Sequence, residues 1–546
     1  METRTCAHCK KSFEITSDDF GFYERMGVPV PQKCPHCRQQ QRTLFRNFKT
    51  LYKRPSSLSG KSIISVYAPD APYPVYESNE WWSDTWDGLT YGRDIDWSRS
   101  FFEQFNELAL VVPRFALMNT KSSDCEYANM TLASNNCYLI FGAIEDEDCA
   151  YGHIIWNSTD TFDGLYTFKC ESCYECIDCL NSNKLLYSQE CESCADSIGL
   201  YDCRSCTNCI GCVGLVGKSY HIFNQPFSHE EYKKFLEENP LHQKETILKI
   251  FTGREELRKK LPQRAFFGSH NNNVSGNHIY YSKNFHDSFD IKAGEDSRYC
   301  YTVHKAVNSY DCSFMPDIEE SYNVLTGSGS RIMCSHICFD SNDIFYSDHC
   351  YGSNNLFGCF GLRQKSYCIL NKQYTKEEYH ELLPKLIELM KNRNEWGEFF
   401  PEKYSPFAYN EAIVNEYMPL TKDEALKEGY RWRDDIPATR GAGTIAYEAL
   451  PKSPNEYTPA LTKEVLTCEK CEKNYKLIPD EISFYTRMGI AIPQKCFNCR
   501  HDARMQARNP RQLWHANCAS CNKDIETSYP PEKQKIYGLY CETCYQ

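Results

Sequence analysis

The residues best placed to do chemistry are cysteines in C-x-x-C pairs at the two ends of the chain. They form three sets: Cys6, Cys9, Cys34 and Cys37; Cys468, Cys471, Cys496 and Cys499; and Cys518, Cys521, Cys541 and Cys544. A C-x-x-C knuckle puts two thiolates on one side of a tight turn. Two knuckles complete a tetrahedral zinc site with Zn–S near ~2.3 Å. Four thiolates leave no position for substrate, so the three expected zincs are structural.

The chain has 546 residues, of which 32 are cysteine, and a net charge of −12. No apolar run approaches the ~18–20 residues of a membrane span. The opening METRTCAHCKK has no apolar core, so no secretory signal is expected. These features point to a reducing cytoplasmic setting, where disulfides are rare. Metal ligation or burial must then account for the thiols.

The two ends are copies. Residues 6–38 align with 468–500 at an offset of 462, which continues through Arg42/Arg504, Arg46/Arg508 and Leu51/Leu513. At that offset Cys518 and Cys521 fall on Ser56 and Ser59, and after a two-residue shift Cys541 and Cys544 fall on Glu77 and Glu80, so the N-terminal module reads as a two-site unit that has lost one zinc.

CAHCKKSFEI…DFGFYERMGVPVPQKCPHCRQQQR and CEKCEKNYKL…FYTRMGIAIPQKCFNCR resemble a treble-clef-like zinc-ribbon family of bacterial proteins of unknown function. Ribbons flanking a Cys-rich repeat region resemble long uncharacterised bacterial proteins. The resemblance covers about 50–80 residues at each end. It implies a zinc fold ligated by those cysteines and implies no reaction.

The second knuckle of each ribbon is expected to open a helix, which in the first copy runs through CPHCRQQQRTLFRNFKTLYKR. Arg38, Arg42 and Arg46 share a face at i, i+4, i+8, and Arg500, Arg504 and Arg508 repeat it. Lys49, Lys53, Arg54 and Arg511 extend the stripes. Residues 1–61 carry 12 basic and 5 acidic residues, and 466–546 carry 12 and 9. The ends are therefore +7 and +3 and the middle about −22. The stripes could neutralise their own thiolate sites, bind nucleic-acid phosphates, or dock on the acidic middle of a neighbouring molecule.

The middle reads as a duplicated Cys-rich parallel β-helix. Cys149, Cys170, Cys191 and Cys212 recur every 21 residues, which suggests about 21 per coil. Residues 211–232 match 358–379 at 12 of 22 positions, an offset of 147. Each copy runs into an S/T-x-x-E capping box, Ser228/Glu231 and Thr375/Glu378. The runs Cys170–Cys179 and Cys203–Cys212 step by three. They suit either an inward stack of small thiols or a metal or iron–sulfur site. The second copy replaces most of them, which favours stacking, so no iron–sulfur cluster is expected.

Trp81, Trp82 and Trp86 with Asp84 and Asp87 form either a packing wedge or a platform for a sugar or nucleobase. No P-loop, dinucleotide fingerprint, nucleophile elbow or H-E-x-x-H motif occurs. The expected fold is mainly β, with multiple domains. It comprises a ribbon with a degenerate second site (1–80), an aromatic linker (81–120), solenoid copy one (121–227), a helical segment (228–265), solenoid copy two (266–373), a helix (374–396), an extended linker (397–465) and a double ribbon (466–546). The expected function is a non-catalytic binding scaffold whose Arg stripes contact nucleic acid, RNA or ribonucleoprotein ahead of DNA. A protein-assembly module using the acidic solenoid and a polysaccharide-active β-helix enzyme are the alternatives.

Overall fold

The computed structural model describes residues 1–546. It is rich in sheet, with many parallel strands between Asn119 and Gln373 and four-cysteine clusters at both ends.

In the middle region, strands pair in parallel with partners 12 residues away. His153 lies opposite Leu165, Leu165 opposite Ile177, and Thr207 opposite Ser219. The second copy repeats this in an 11-stranded, largely parallel sheet that fits a solenoid, with Tyr301 opposite Ser313 and His336 opposite Asp348. The expected step of 21 residues is thus corrected to 12. The backbone shows the reason. In copy one a residue with φ near +50° recurs every third position, as at Asp160, Asp163, Tyr166, Lys169 and Ser172. Each coil therefore has four three-residue sides, and every third side chain points inward. Twenty-one is a multiple of three, so cysteines spaced by it share the inward direction without marking a coil.

Three-residue sides enclose a narrow interior, and that explains the composition. Cys170, Cys173, Cys176 and Cys179 are each at most 2% exposed and occupy successive sides. Their thiols donate to backbone carbonyls two residues back and nine residues on, as Cys176 does to Tyr174 and Leu185. In copy two, serine does the same work. Ser309 donates to the Val307 carbonyl and accepts from the Ser321 amide one coil further on. Small side chains that satisfy their own polar atom fit where a larger one would force the coils apart.

Both stacks close alike. A short antiparallel return, Gln225–Pro226 or Lys372–Gln373, covers the last strand, and a helix follows (His229–Glu238 or Lys376–Asn392). Ser228 and Thr375 cap these helices through reciprocal bonds with Glu231 and Glu378, and Tyr232 and Tyr379 bury their rings.

The terminal modules superpose in element order. Ser17–Arg25, Pro35–Thr43 and the Tyr52–Pro55/Ser62–Ser65 hairpin recur as Pro479–Met488, Phe497–Ala507 and Trp514–Asn517/Asp524–Thr527. The helix after the second N-terminal knuckle ends at Thr43, well short of the expected run to Arg54. Beyond it Asn47 bonds the Thr50 and Val66 carbonyls, which turns the chain into the hairpin.

Candidate functional site

Within each four-cysteine cluster the sulfurs lie within 4.8 Å of one another. Cys9 and Cys34 approach to 3.8 Å, Cys471 and Cys496 to 3.6 Å, and Cys521 and Cys541 to 3.8 Å. Four sulfurs each ~2.3 Å from a central ion would be about 3.8 Å apart. A disulfide would bring a pair to about 2.05 Å. The residues therefore fit a tetrahedral metal, in line with the C-x-x-C spacing. Knuckle amides support the anionic sulfurs: Cys34 N–H donates to Cys6 Sγ and Cys541 N–H to Cys518 Sγ, both at 3.3 Å. Amides of Cys521 and Cys541 facing Cys518 pull its thiol down to about 6.

The degenerate site has a different chemistry. Ser56 donates to the Glu80 carboxylate, and Glu77 and Glu80 form a capping box on the helix Ser78–Trp82. Hydrogen bonds thus close the loop that metal would close at Cys518–Cys544. Cobalt titration of metal-free protein should reach a thiolate charge-transfer end point of three ions per chain, matching the three clusters. A fourth thiolate-ligated ion, or an ion bound between Ser56 and Glu80, would contradict this.

The arginine stripes point inward. Arg38, Arg42 and Arg46 are at most 5% exposed, and Arg500, Arg504 and Arg508 at most 8%. Arg38 reaches Asp311 at 2.8 Å, and Arg42 bonds Asp311 and Asn323 at 3.1 Å each. Arg46 donates to Thr326 and lies over the Phe48 and Phe314 rings. At the other end, Arg500 and Arg504 meet Asp163 at 3.0 and 2.8 Å. Arg504 also meets Glu175 at 3.2 Å, and Arg508 meets Asp178 at 2.8 Å. Each first arginine also donates to a carbonyl of its own module, Lys33 or Lys495.

These partners correspond one to one. Asp311, Asn323 and Thr326 have the same spacing of 12 and 3 as Asp163, Glu175 and Asp178. One coil and one side separate them. The N-terminal module therefore docks on stack two and the C-terminal module on stack one, in equivalent places. Phe22 on Tyr310 (3.9 Å) and Phe484 on Phe162 (4.4 Å) repeat the relation in aromatic contacts. The chain crosses over, so each module clamps the distant stack.

The phosphate role expected of these residues is corrected accordingly. Of the ten basic residues of the stripes and their extensions, Lys53 alone is exposed. Arg54 donates to the Ala68 carbonyl, Lys49 lies 3.5 Å from Glu416, and Arg511 pairs with Asp290 at 2.7 Å. Docking on the acidic middle does occur, but within the chain rather than on a neighbour. The two clamps differ in charge: Asp163, Glu175, Asp178, Asp290 and Glu481 lie within 3.9 Å of the C-terminal arginines, whereas Asp311 alone faces the N-terminal ones. Burial, only partly offset by Tyr417 and Tyr166, lowers Arg46 to about 9.

The aromatic segment divides. Trp81 is wholly buried and donates to the Pro113 carbonyl, so it is a packing residue and not part of a platform. Asp87 is engaged by the Leu89 amide and by Lys365 at 3.0 Å. Trp82 stays 43% exposed and Asp84 is exposed. Both line a cleft of about 1670 Å³ between the stacks. Stack two contributes one residue every 12 along this cleft: Lys292, His304, Pro316, Ser328, Asp340, Gly352 and Gln364. Seven coils at about 4.8 Å make a groove about 29 Å long. Trp156 of stack one stands opposite, with the Lys292 ammonium 5.9 Å and the His304 ring 6.2 Å away. Sequence reading did not find this wall, because its residues are of mixed type and share only the 12-residue step.

A second unforeseen group is buried at a four-way junction. His153 of stack one, Glu416 of the linker helix Val414–Tyr417 and His501 of the helix Phe497–Ala507 meet there, beside Lys49. Burial pushes both imidazoles well below the usual histidine range.

No family model, curated protein or solved structure matches this chain. What stands is the architecture: four-cysteine clusters at both ends compatible with zinc-binding domains, and parallel stacks between them. No helix is long and apolar enough to cross a membrane.

Proposed function

We propose that the protein is a non-catalytic, zinc-stabilised binding scaffold. Two β-helical solenoids are braced by crossed treble-clef-like zinc modules, and the cleft between them takes an elongated polyhydroxylated ligand of the polysaccharide class. The observation that carries this reading is the cleft itself. Trp82, Trp86 and Trp156 offer ring faces for stacking, and Asn157, Asn342 and Gln364 offer amides for hydroxyls. Its charges nearly balance: Asp84, Asp87, Glu145, Asp317 and Asp340 against Arg46, Lys292, Arg363 and Lys365. Such a wall does not concentrate a polyanion, whereas nucleic-acid grooves carry a clear positive excess. A ladder repeating at each coil suits a polymer of repeating units.

Sulfur spacings of 3.6–3.8 Å suit reduced thiolates, which supports zinc as the metal and the cytoplasm as the compartment.

The reading is tested by titrating the full chain with neutral soluble polysaccharides and with single-stranded RNA. Binding to at least one neutral polysaccharide is expected. It should fall about tenfold or more in Trp82→Ala and in Trp156→Ala, the loss of ~1.4 kcal/mol or more from one stacked ring. Binding to RNA alone, with affinity falling steeply with salt, would replace this reading with the nucleic-acid one.

A further inference from the structure

The junction of His153, Glu416 and His501 is a set of metal-ligating groups outside the thiolate clusters, drawn from three separate parts of the chain. His153 and His501 are wholly buried and Glu416 has a side-chain exposure of 10%. Glu416 Oε2 lies 3.0 Å from His501 Nε2 and 3.8 Å from His153 Nε2. The three donor atoms lie within 4.8 Å of one another. Donors each ~2.0 Å from one ion in a tetrahedron are about 3.3 Å apart, which the two distances bracket.

The hydrogen-bond inventory points the same way. His153 has no partner at either ring nitrogen, and His501 has none at Nδ1. A wholly buried imidazole that satisfies neither nitrogen is costly, and a ligand is the usual remedy. Lys49 Nζ lies 3.5 Å from the other carboxylate oxygen, Glu416 Oε1, and so turns Oε2 towards the imidazoles. Oriented carboxylates of this kind support metal sites from outside the ligand set. The rings are stacked at 4.7 Å, and Phe48 closes one side at 4.9 Å from His153.

The place is not a by-product of the duplication. In the N-terminal module the position equivalent to His501 is Gln39, also buried, so the donor set exists on one half only.

We propose that His153, Glu416 and His501 form a fourth metal site, for a borderline divalent cation such as zinc, that ties stack one, the 397–465 linker and the C-terminal module together. Two imidazoles and a carboxylate suit zinc, cobalt or nickel and not calcium or magnesium. Three protein donors leave the fourth position to water. The site differs from the thiolate sites in ligand chemistry, so it can be read separately from them.

The test uses the full chain, purified with zinc and dialysed. Metal analysis should find four zincs per chain, and X-ray absorption should show nitrogen and oxygen donors on about one zinc in four beside all-sulfur sites. His501→Gln and Glu416→Gln should each lower the count from four to three with the sulfur-ligated zincs unchanged. Three zincs in the native chain with sulfur-only ligation would overturn the proposal. So would an undiminished count in a folded Glu416→Gln chain. The absorption measurement on the native protein decides the matter even where a variant fails to fold.

Discussion

Asp163→Ala should destabilise the protein by about 3–5 kcal/mol, the cost of removing one partner from a buried ion pair. Asp163 is wholly buried, accepts from Arg500 and lies 2.8 Å from Arg504 as its counter-ion, so its loss leaves two guanidiniums without their main counter-charge. Part of the cost is desolvation that no other group offsets, since Arg504 already carries unsatisfied nitrogens. Arg504→Ala should cost less than Asp163→Ala, because Asp163 keeps Arg500. Thermal unfolding and denaturant midpoints read both. Arg25→Ala, at an exposed position of the N-terminal module, is the control and should shift stability by less than about 0.5 kcal/mol. Equal small effects at Asp163 and Arg25 would mean that the clamp is not engaged in solution.

The second large effect is expected from the metal. Structural zinc contributes roughly 10–16 kcal/mol in isolated finger peptides. Cys499 sits in the first turn of Phe497–Ala507, the helix that carries Arg500 and Arg504. Cys499→Ser, or chelation, should therefore release the clamp as well as the knuckle. Arg500, Arg504 and Arg508 are buried in the docked state and are trypsin sites once released. If docking weakens by about 3 kcal/mol, the open population and the cleavage rate rise about 100-fold. Cleavage at these arginines that is unchanged after metal removal would separate the zinc from the docking.

Much of this is legible in the sequence, for reasons that can be named. C-x-x-C spacing is local, and the tetrahedral site follows from it. The offset of 462, followed by a two-residue shift, exposes the paired modules and the lost site at Ser56 and Glu80, where the structure finds a hydrogen bond. The coil length is hidden because inward positions repeat every three residues, so a 21-residue recurrence and a 12-residue coil put cysteines on the same inner wall. The direction of the arginine stripes is hidden because composition counts charges without pairing them. Arg42 beside solvent and Arg42 on Asp311 give the same sum. Their partners carry a signal, the shared 12 and 3 spacing of Asp163, Glu175 and Asp178 with Asp311, Asn323 and Thr326, but only the coil length makes it readable. The His153–Glu416–His501 junction carries none, since 85 residues separate Glu416 from His501 and 263 separate it from His153.

If the arginines are internal clamps and the cleft is the binding face, salt should tell the two apart. Binding of the metal-loaded chain to neutral polysaccharides and to single-stranded RNA, measured across a salt series, tests this most directly. The expected result is polysaccharide binding that hardly changes with salt and is lost with Trp82 and Trp156. RNA binding whose salt slope is flattened by Arg42→Ala or Arg504→Ala in a folded chain would contradict it.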